Sequence, residues 1–274
     1  MATVNRRVLP GFRLSLGYTV FYLSLLVLIP LATCYIQAAR LSFSDFWSTV
    51  WTERARAALG LTFGASLVSA LLNVFIGVLL AWVLVRYSFP LKRVFDALID
   101  LPFALPTAVA GLVFANLYSP AGWLGRYLVP LGIQGAYSRL GIVLVLTFTG
   151  LPFVVRTVQP VLETFDAESE EAAATLGASR WQIVWRVIAP GVYPAVITGF
   201  ALSFARAIGE YGSVIFIAGN KRNETEIAPY LIVELLDQFE FSEATAVAVV
   251  LLTISFVLLA LINVLERWSK SHAS

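Results

Sequence analysis

Charge is scarce in this chain of 274 residues: 13% are Asp, Glu, Lys or Arg, 59% are apolar, and the mean hydropathy is +0.82. Soluble domains run near about 25% charged and about 45–50% apolar. Polar surface is too small here to cover a water-soluble globule, so the solvent is lipid. Cysteine and histidine are nearly absent, with Cys34 and His272 the sole examples. No internal disulfide can form, no Cys/His zinc site is possible, and a tail histidine makes no dyad with a cysteine in an apolar run. That also removes the nucleophile–base or metal set an enzyme within the membrane would need. A net charge of +2 is too small to point to nucleic acid. The chain lacks a Gly-x-x-x-x-Gly-Lys-Ser/Thr phosphate loop, so any ATP is bound by a partner, and no cofactor is expected. It shows no alternating ten-residue pattern of a barrel and no low-complexity segment. The duplicated broken helices of a secondary carrier are also missing, which speaks against an ATP-independent carrier or channel.

What is present is apolar length. Six segments read as helices, Leu14–Ile36, Leu59–Val85, Ala97–Tyr118, Leu140–Leu162, Val192–Ala218 and Ala244–Leu265. Each approaches the roughly 20 residues that cross a bilayer, and each must be helical because a lone strand in lipid leaves its backbone unpaired. Arg6 and Arg7 precede the first segment, which is too long for a signal peptide's apolar region and has no small-residue cleavage site. It reads as a retained helix. An inside N-terminus places most cations in the cytoplasm, among them Arg13, Arg86, Lys92, Arg93, Arg156, Arg180, Arg186, Arg267 and Lys270. Arg40, Arg54, Arg56, Arg126, Arg139, Lys221 and Arg222 fall outside. This positive-inside bias puts both termini in the cytoplasm. The expected organisation is an N-terminal segment with the first span and an external loop (1–58), a five-helix core (59–265) with a cytoplasmic loop at 163–190, and a cytoplasmic tail (266–274).

Inside the segments, some residues stand out. The third holds Pro102, Pro106 and Gly111; the fourth holds Pro152 and Pro160. Proline removes a backbone donor and kinks a helix, so both spans read as broken, either as packing kinks or as the lining of a path that opens and closes. Gly60 and Gly64, four apart, present a small face for close helix contact, and Asn73 is expected to bond a neighbouring helix. Arg206 and Glu210 sit four apart on the fifth span, on one face. They read as a self-neutralising ion pair facing the bundle or, more sharply, as Arg206 lending positive potential to an anion path with Glu210 holding it. Arg156 is expected to reach the lipid headgroups, and Asp100 to pair with Lys92 or Arg93 or to cap the third helix.

The loop before the fifth span carries the densest local signal. Acidic residues from Glu168 to Glu171 crowd a helix start, where they complement the dipole, and Ala172–Leu176 propagates it. Gly177 suits the left-handed position that ends a helix. Ser179 and Gln182 form a capping box that opens a second helix, which Pro190 is expected to end. Trp181 and Trp185 share a face. The pattern fits an amphipathic element lying on the membrane or a docking element for a partner.

Glu171-Ala172-Ala173, then Gly177 and Ala178, then Val187-Ile188-Ala189-Pro190 resemble the EAA loop of ABC importer permeases, with Ala189 where the family commonly has leucine. The resemblance implies that this loop is the coupling helix, seated in a groove of a cytosolic ATPase. Asp100–Gly111, Phe153–Pro160, Gly209–Asn220 and the opening Arg6–Phe12 are together similar to sulfate/thiosulfate permease subunits of the CysT type, with Tyr211 standing where the family has Phe. The Gly-Glu-aromatic-Gly element is shared with molybdate and tungstate permeases, the alternative cargo. The resemblance implies an all-α integral membrane protein of six transmembrane helices with the type I ABC importer permease fold. The expected partners are a second permease of CysW type, two copies of a CysA-type ATPase, and a periplasmic sulfate/thiosulfate-binding protein. Coupling is expected at Glu171, Ala172, Ala173, Gly177, Ala178 and Pro190, and the translocation path at Arg206, Glu210, Pro102, Pro106 and Pro152.

Overall fold

A computed structural model describes residues 11–272. The Arg6-Arg7 segment lies outside the described residues, as do the side chains of Arg13, Arg267, Lys270 and His272. Among the described residues every regular element is helical. The first span comprises α1 (Phe12–Leu23) and α2 (Ile29–Ala38), joined through a wide π turn at Ser24–Leu28. External α3 (Phe43–Val50) precedes α4 (Glu53–Arg86). Then come α5 (Lys92–Ile99), α6 (Leu101–Ala104), α7 (Thr107–Tyr118), α8 (Gly125–Leu128) and α9 (Arg139–Glu163). The coupling-loop segment holds α10 (Ala167–Thr175) and α11 (Arg180–Ile183), followed by α12 (Ala189–Ile208), α13 (Val214–Ile217), α14 (Ala228–Asp237) and α15 (Phe241–His272).

Among the described residues five helices are long and apolar enough to cross a membrane, and Thr107–Tyr118 is a shorter apolar one. The sixth expected span is therefore not a single rod. At about 1.5 Å per residue, α7 reaches about 18 Å, short of the roughly 30 Å hydrocarbon thickness. The third segment crosses in pieces, and its prolines explain where it divides. Pro102 occupies the first turn of α6 and Pro106 is the residue that caps α7. Both lack an N–H where a helix start has no use for one. The fourth segment differs from expectation: α9 is one continuous helix through Pro152 and Pro160. Pro152 is fully buried, and α9 packs against both α4 and α12, which supports the helix through it.

The core is the bundle of α4, α9 and α12. Lipid tails are as apolar as leucine, so helices associate by close packing and small residues. The buried face of α4 shows this, with Ala58, Ala65, Ser69, Ala70, Asn73, Gly77 and Ala81 at three- and four-residue spacings. A Cβ on Gly77 would lie 2.8 Å from the Val154 Cβ of α9. One on Gly150 would lie 2.5 Å from both the Asn73 Nδ2 of α4 and the Ser203 Oγ of α12. At that crossing the buried Asn73 amide donates to Ser203 Oγ at 2.9 Å, a helix–helix bond as expected. By contrast, an 18-residue window of the first span has no buried residue. That span leans on α15, where Tyr35 Oη and Thr253 Oγ1 lie 3.1 Å apart.

Candidate functional site

The loop between α9 and α12 is built almost entirely from neighbouring residues. The Asp166 carboxylate accepts from the Glu168 N–H at 3.0 Å and starts α10. At its end Gly177 takes φ +87°, a left-handed conformation with little cost for glycine alone. Ala178 N–H donates to Ala173 O at 3.1 Å and Gly177 N–H to Ala174 O at 3.0 Å, the paired bonds of a Schellman turn. The capping box then closes both ways, Ser179 N–H to Gln182 Oε1 at 2.8 Å and Gln182 N–H to Ser179 Oγ at 3.3 Å. Glu171, Ala172 and Gly177 are exposed, and Ala173 and Ala178 are partly covered. Leu176 stands at the tip, 88% exposed.

Pro190 does not end the second helix. The chain is helical without a gap from Arg180 to Ile208, and Pro190 falls in the first turn of α12. A π turn over Val184–Ile188 widens the backbone just before it, with Ala189 N–H reaching back to Val184 O. That extra residue per turn relieves the clash a proline ring makes with the carbonyl four residues earlier. The loop therefore runs directly into a bundle helix. Arg86, at the end of α4, adds a lateral tie: its Nη2 donates to Glu170 Oε1 at 2.5 Å, and its guanidinium lies 5.3 Å over the Trp82 ring.

The fifth span also stops earlier than expected. Helix α12 ends at Ile208, so Glu210 stands beyond its end, in a break before α13. Arg206 and Glu210 do pair. The Glu210 side chain is 2% exposed, and Oε1 also accepts from the Ser213 N–H at 3.0 Å and the Ser213 hydroxyl at 2.9 Å. Glu210 thus staples the break shut. The break rests on α7: a Cβ on Gly111 would strike Ser213 O, and one on Gly212 would strike Thr107 Oγ1. So Arg206, Glu210 and the Pro106 corner are brought to one place. Pro102 lies a helix piece away, and Pro152 lies buried within the bundle, its neighbour Phe153 edge-on to Phe103 at 5.2 Å.

Two charge clusters escaped sequence reading. Asp100 pairs with neither Lys92 nor Arg93. Instead Arg156 grips Asp100 with Nε and Nη2 at 2.8 and 2.7 Å, and Asp96 with Nη1 at 2.7 Å. Asp100 precedes α6 but makes no capping bond there. Asp96 and Asp100 share one helical face, which is the signal that could have named a common cation. Outside, Arg54 donates to Glu226 at 2.9 and 2.5 Å and to Glu234 at 2.5 Å, and Arg222 adds a bond to Glu234 at 3.0 Å. Burial pushes the Glu234 carboxyl up, but Arg222 and Arg54 outweigh it and hold the group below the usual carboxylate range. The lone Glu234 in an apolar stretch is the trace this cluster leaves in the sequence. Among the described residues no group of three His, Cys, Asp or Glu is placed to hold a metal.

A helical bundle with one span in pieces and an exposed loop running directly into a bundle helix fits the membrane-spanning subunit of a transport system. The chain belongs to the family described as the binding-protein-dependent transport system inner membrane component, whose model matches residues 73–271. It is 48% identical over 256 residues to the sulfate transport system permease protein CysT of Synechocystis sp., covering 93% of this chain and 90% of that one. It is 46% identical over 265 residues to the protein of that name from Escherichia coli, covering 97% and 96%. In three dimensions it is similar to a chain of a bacterial ABC transporter that imports the acidic polysaccharide alginate. That match has a TM-score of 0.77 at 17% identity, covering 93% of this chain and 94% of the other. The protein is thus a multi-pass inner-membrane permease of the type I fold that works with a periplasmic binding protein and other subunits.

Proposed function

We propose that the chain is one half of the pore of an ATP-driven importer of sulfate or thiosulfate. The observation that carries the reading is the coupling loop: a preformed hook with Leu176 at its tip, joined by unbroken helix to the bundle. The cargo rests on the likeness to CysT permeases over nearly the whole chain. The second half of the pore is a CysW-type permease, and two CysA-type ATPases bind and hydrolyse the ATP, since this chain has no nucleotide site of its own. A periplasmic sulfate/thiosulfate-binding protein delivers the anion.

Glu171, Ala172, Ala173, Gly177 and Ala178 seat in the ATPase groove. When ATP closes the ATPase pair, α10 and α11 move as one piece, and the continuous helix through Pro190 carries the displacement into α12. The bundle then flips between inward-facing and outward-facing states. At the far end of α12, the Arg206–Glu210 staple and the break it holds against α7 form a movable part of the path. Proteoliposomes holding all subunits test this. Sulfate uptake is expected to require ATP, the ATPase and the second permease together, and uptake by this chain alone would overturn the reading. Competition by molybdate at equal concentration, with sulfate left unmoved, would assign the alternative cargo.

A further inference from the structure

The face of the bundle opposite the coupling loop carries a cavity of about 380 Å³ whose walls are mostly apolar, with Gly60 and Gly64 of α4 among them, and whose polar lining is Arg56 of α4, Arg139 of α9 and Asn223. Its side is fixed by the helices. Arg86, at one end of α4, touches the coupling loop, so Arg56 stands about 45 Å away at about 1.5 Å per residue. Arg139 opens α9, whose other end leads into that loop. The cavity is external.

Gly60 and Gly64 were expected to sit against a neighbouring helix, but a Cβ at either would meet nothing within 4 Å. They form the open wall of a groove that descends from Arg56 by successive turns of α4. At its mouth the cations are held without being neutralised. Arg139 Nε donates to the Glu224 backbone carbonyl at 2.8 Å, which orients the guanidinium without neutralising it. The Arg56 guanidinium lies 5.9 Å over the Trp51 ring. Nearby carboxylates are committed elsewhere: Glu226 and Glu234 to Arg54 and Arg222, and Glu224 to Lys221 at 3.9 Å. Among the described residues, no ion pair involves Arg56 or Arg139, and Glu53 on the turn before Arg56 makes none with it.

We infer that this cavity is a transit site for a divalent tetrahedral oxyanion, which Arg56 and Arg139 draw in from outside. The inference rests on the anion-importer reading above and adds the place where the anion first meets this subunit. The volume admits one such ion with several waters, each about 30 Å³. Guanidinium groups present forks of donors that match oxyanion geometry. Both arginines are exposed, which keeps the hold weak, as a site on a path requires if the ion is to leave.

The test uses the assembled importer in nanodiscs, with the single cysteine removed as Cys34→Ser and a thiol introduced as Gly60→Cys, where space exists. An anionic methanethiosulfonate (the ethylsulfonate) is expected to react roughly tenfold faster relative to its cationic trimethylammonium counterpart than it does after Arg56→Gln with Arg139→Gln, the size of effect a focused positive field gives. Millimolar sulfate is expected to slow labelling in the parent and not in the double variant. Equal charge bias in both backgrounds, a thiol unreactive to both reagents, or bias without protection by sulfate would each overturn the site. Gly64→Cys, one turn deeper, repeats the measurement if Gly60→Cys does not assemble. Labelling reads the cavity and not the uptake. Expected labelling in an importer that moves no sulfate would therefore leave the site standing and overturn the cargo.

Discussion

The coupling loop and the three-helix core are held together by opposite means. In the loop the bonds are short-range: Asp166 to Glu168, Ala173 to Ala178, Ser179 to Gln182. In the core the contacts join distant parts of the chain, as Asn73 meets Ser203 over 130 positions and Gly150 makes room for both. The loop therefore owes its shape to itself and can be displaced as a unit without losing it. The core keeps its shape only while three helices stay in contact, and its helix interruptions lie elsewhere, at the Pro102 and Pro106 corners and at the break after Ile208. Arg86–Glu170 straps the two regions laterally, beside the apolar contacts that Phe165 and Ile183 make with the core.

The largest effect is expected from Gly150→Val. The added carbons would overpack the crossing and part the buried Asn73–Ser203 bond, a loss of about 3–5 kcal/mol from the two causes together. Melting temperature in detergent and yield of assembled complex report it, and Gly64→Val, made where nothing is packed, is the control expected to melt like the parent. Equal behaviour of the two variants would break the comparison. Glu226→Gln comes next. It removes the more buried carboxylate from Arg54 while Glu234 remains, for about 3 kcal/mol, the lower end of what losing one partner of a buried pair costs. Destabilisation should be accompanied by faster proteolysis at the external loop around residues 219–227, and proteolysis unchanged would argue against the network as the clamp of that loop.

Gly177→Val is expected to leave the core intact and damage the loop. The left-handed position penalises a residue with a Cβ by about 1–2 kcal/mol, a factor of roughly 5–30 in the ratio of native to other turn conformations. Uptake should fall, by at most that factor, while melting temperature stays put, and Gly177→Asn, which tolerates the same φ, should retain most of the uptake. Full uptake by Gly177→Val would count against a docking role for the turn. The smallest effect belongs to the strap. A double-mutant cycle of Arg86→Gln and Glu170→Gln should return about 0.5 kcal/mol, as expected for a partly exposed pair. Its signature is ATP hydrolysis that runs ahead of transport in each single variant.

Legibility followed the range of the interactions. The Gly177 turn, the Ser179–Gln182 capping box and the membrane class were readable because each is written in adjacent residues or in bulk composition. The continuity of α9 through Pro152, the helix that continues through Pro190, and the partners of Arg156 were not readable in that way. A proline reports only the bond it cannot make, and whether a helix breaks there depends on what packs around it. Gly60-x-x-x-Gly64 makes the same point from the other direction, since the motif marks a small face without saying what meets it.

By itself, then, the sequence determined that this protein lives in lipid, that its spans are helices, and that one cytoplasmic loop folds into a capped turn. Lipid leaves no other way to pair a backbone, and caps are satisfied within a few residues. Only the tertiary structure decided which spans are broken, which charges neutralise one another, and that Arg56 and Arg139 face a common cavity. Those outcomes depend on distances between segments far apart in the chain.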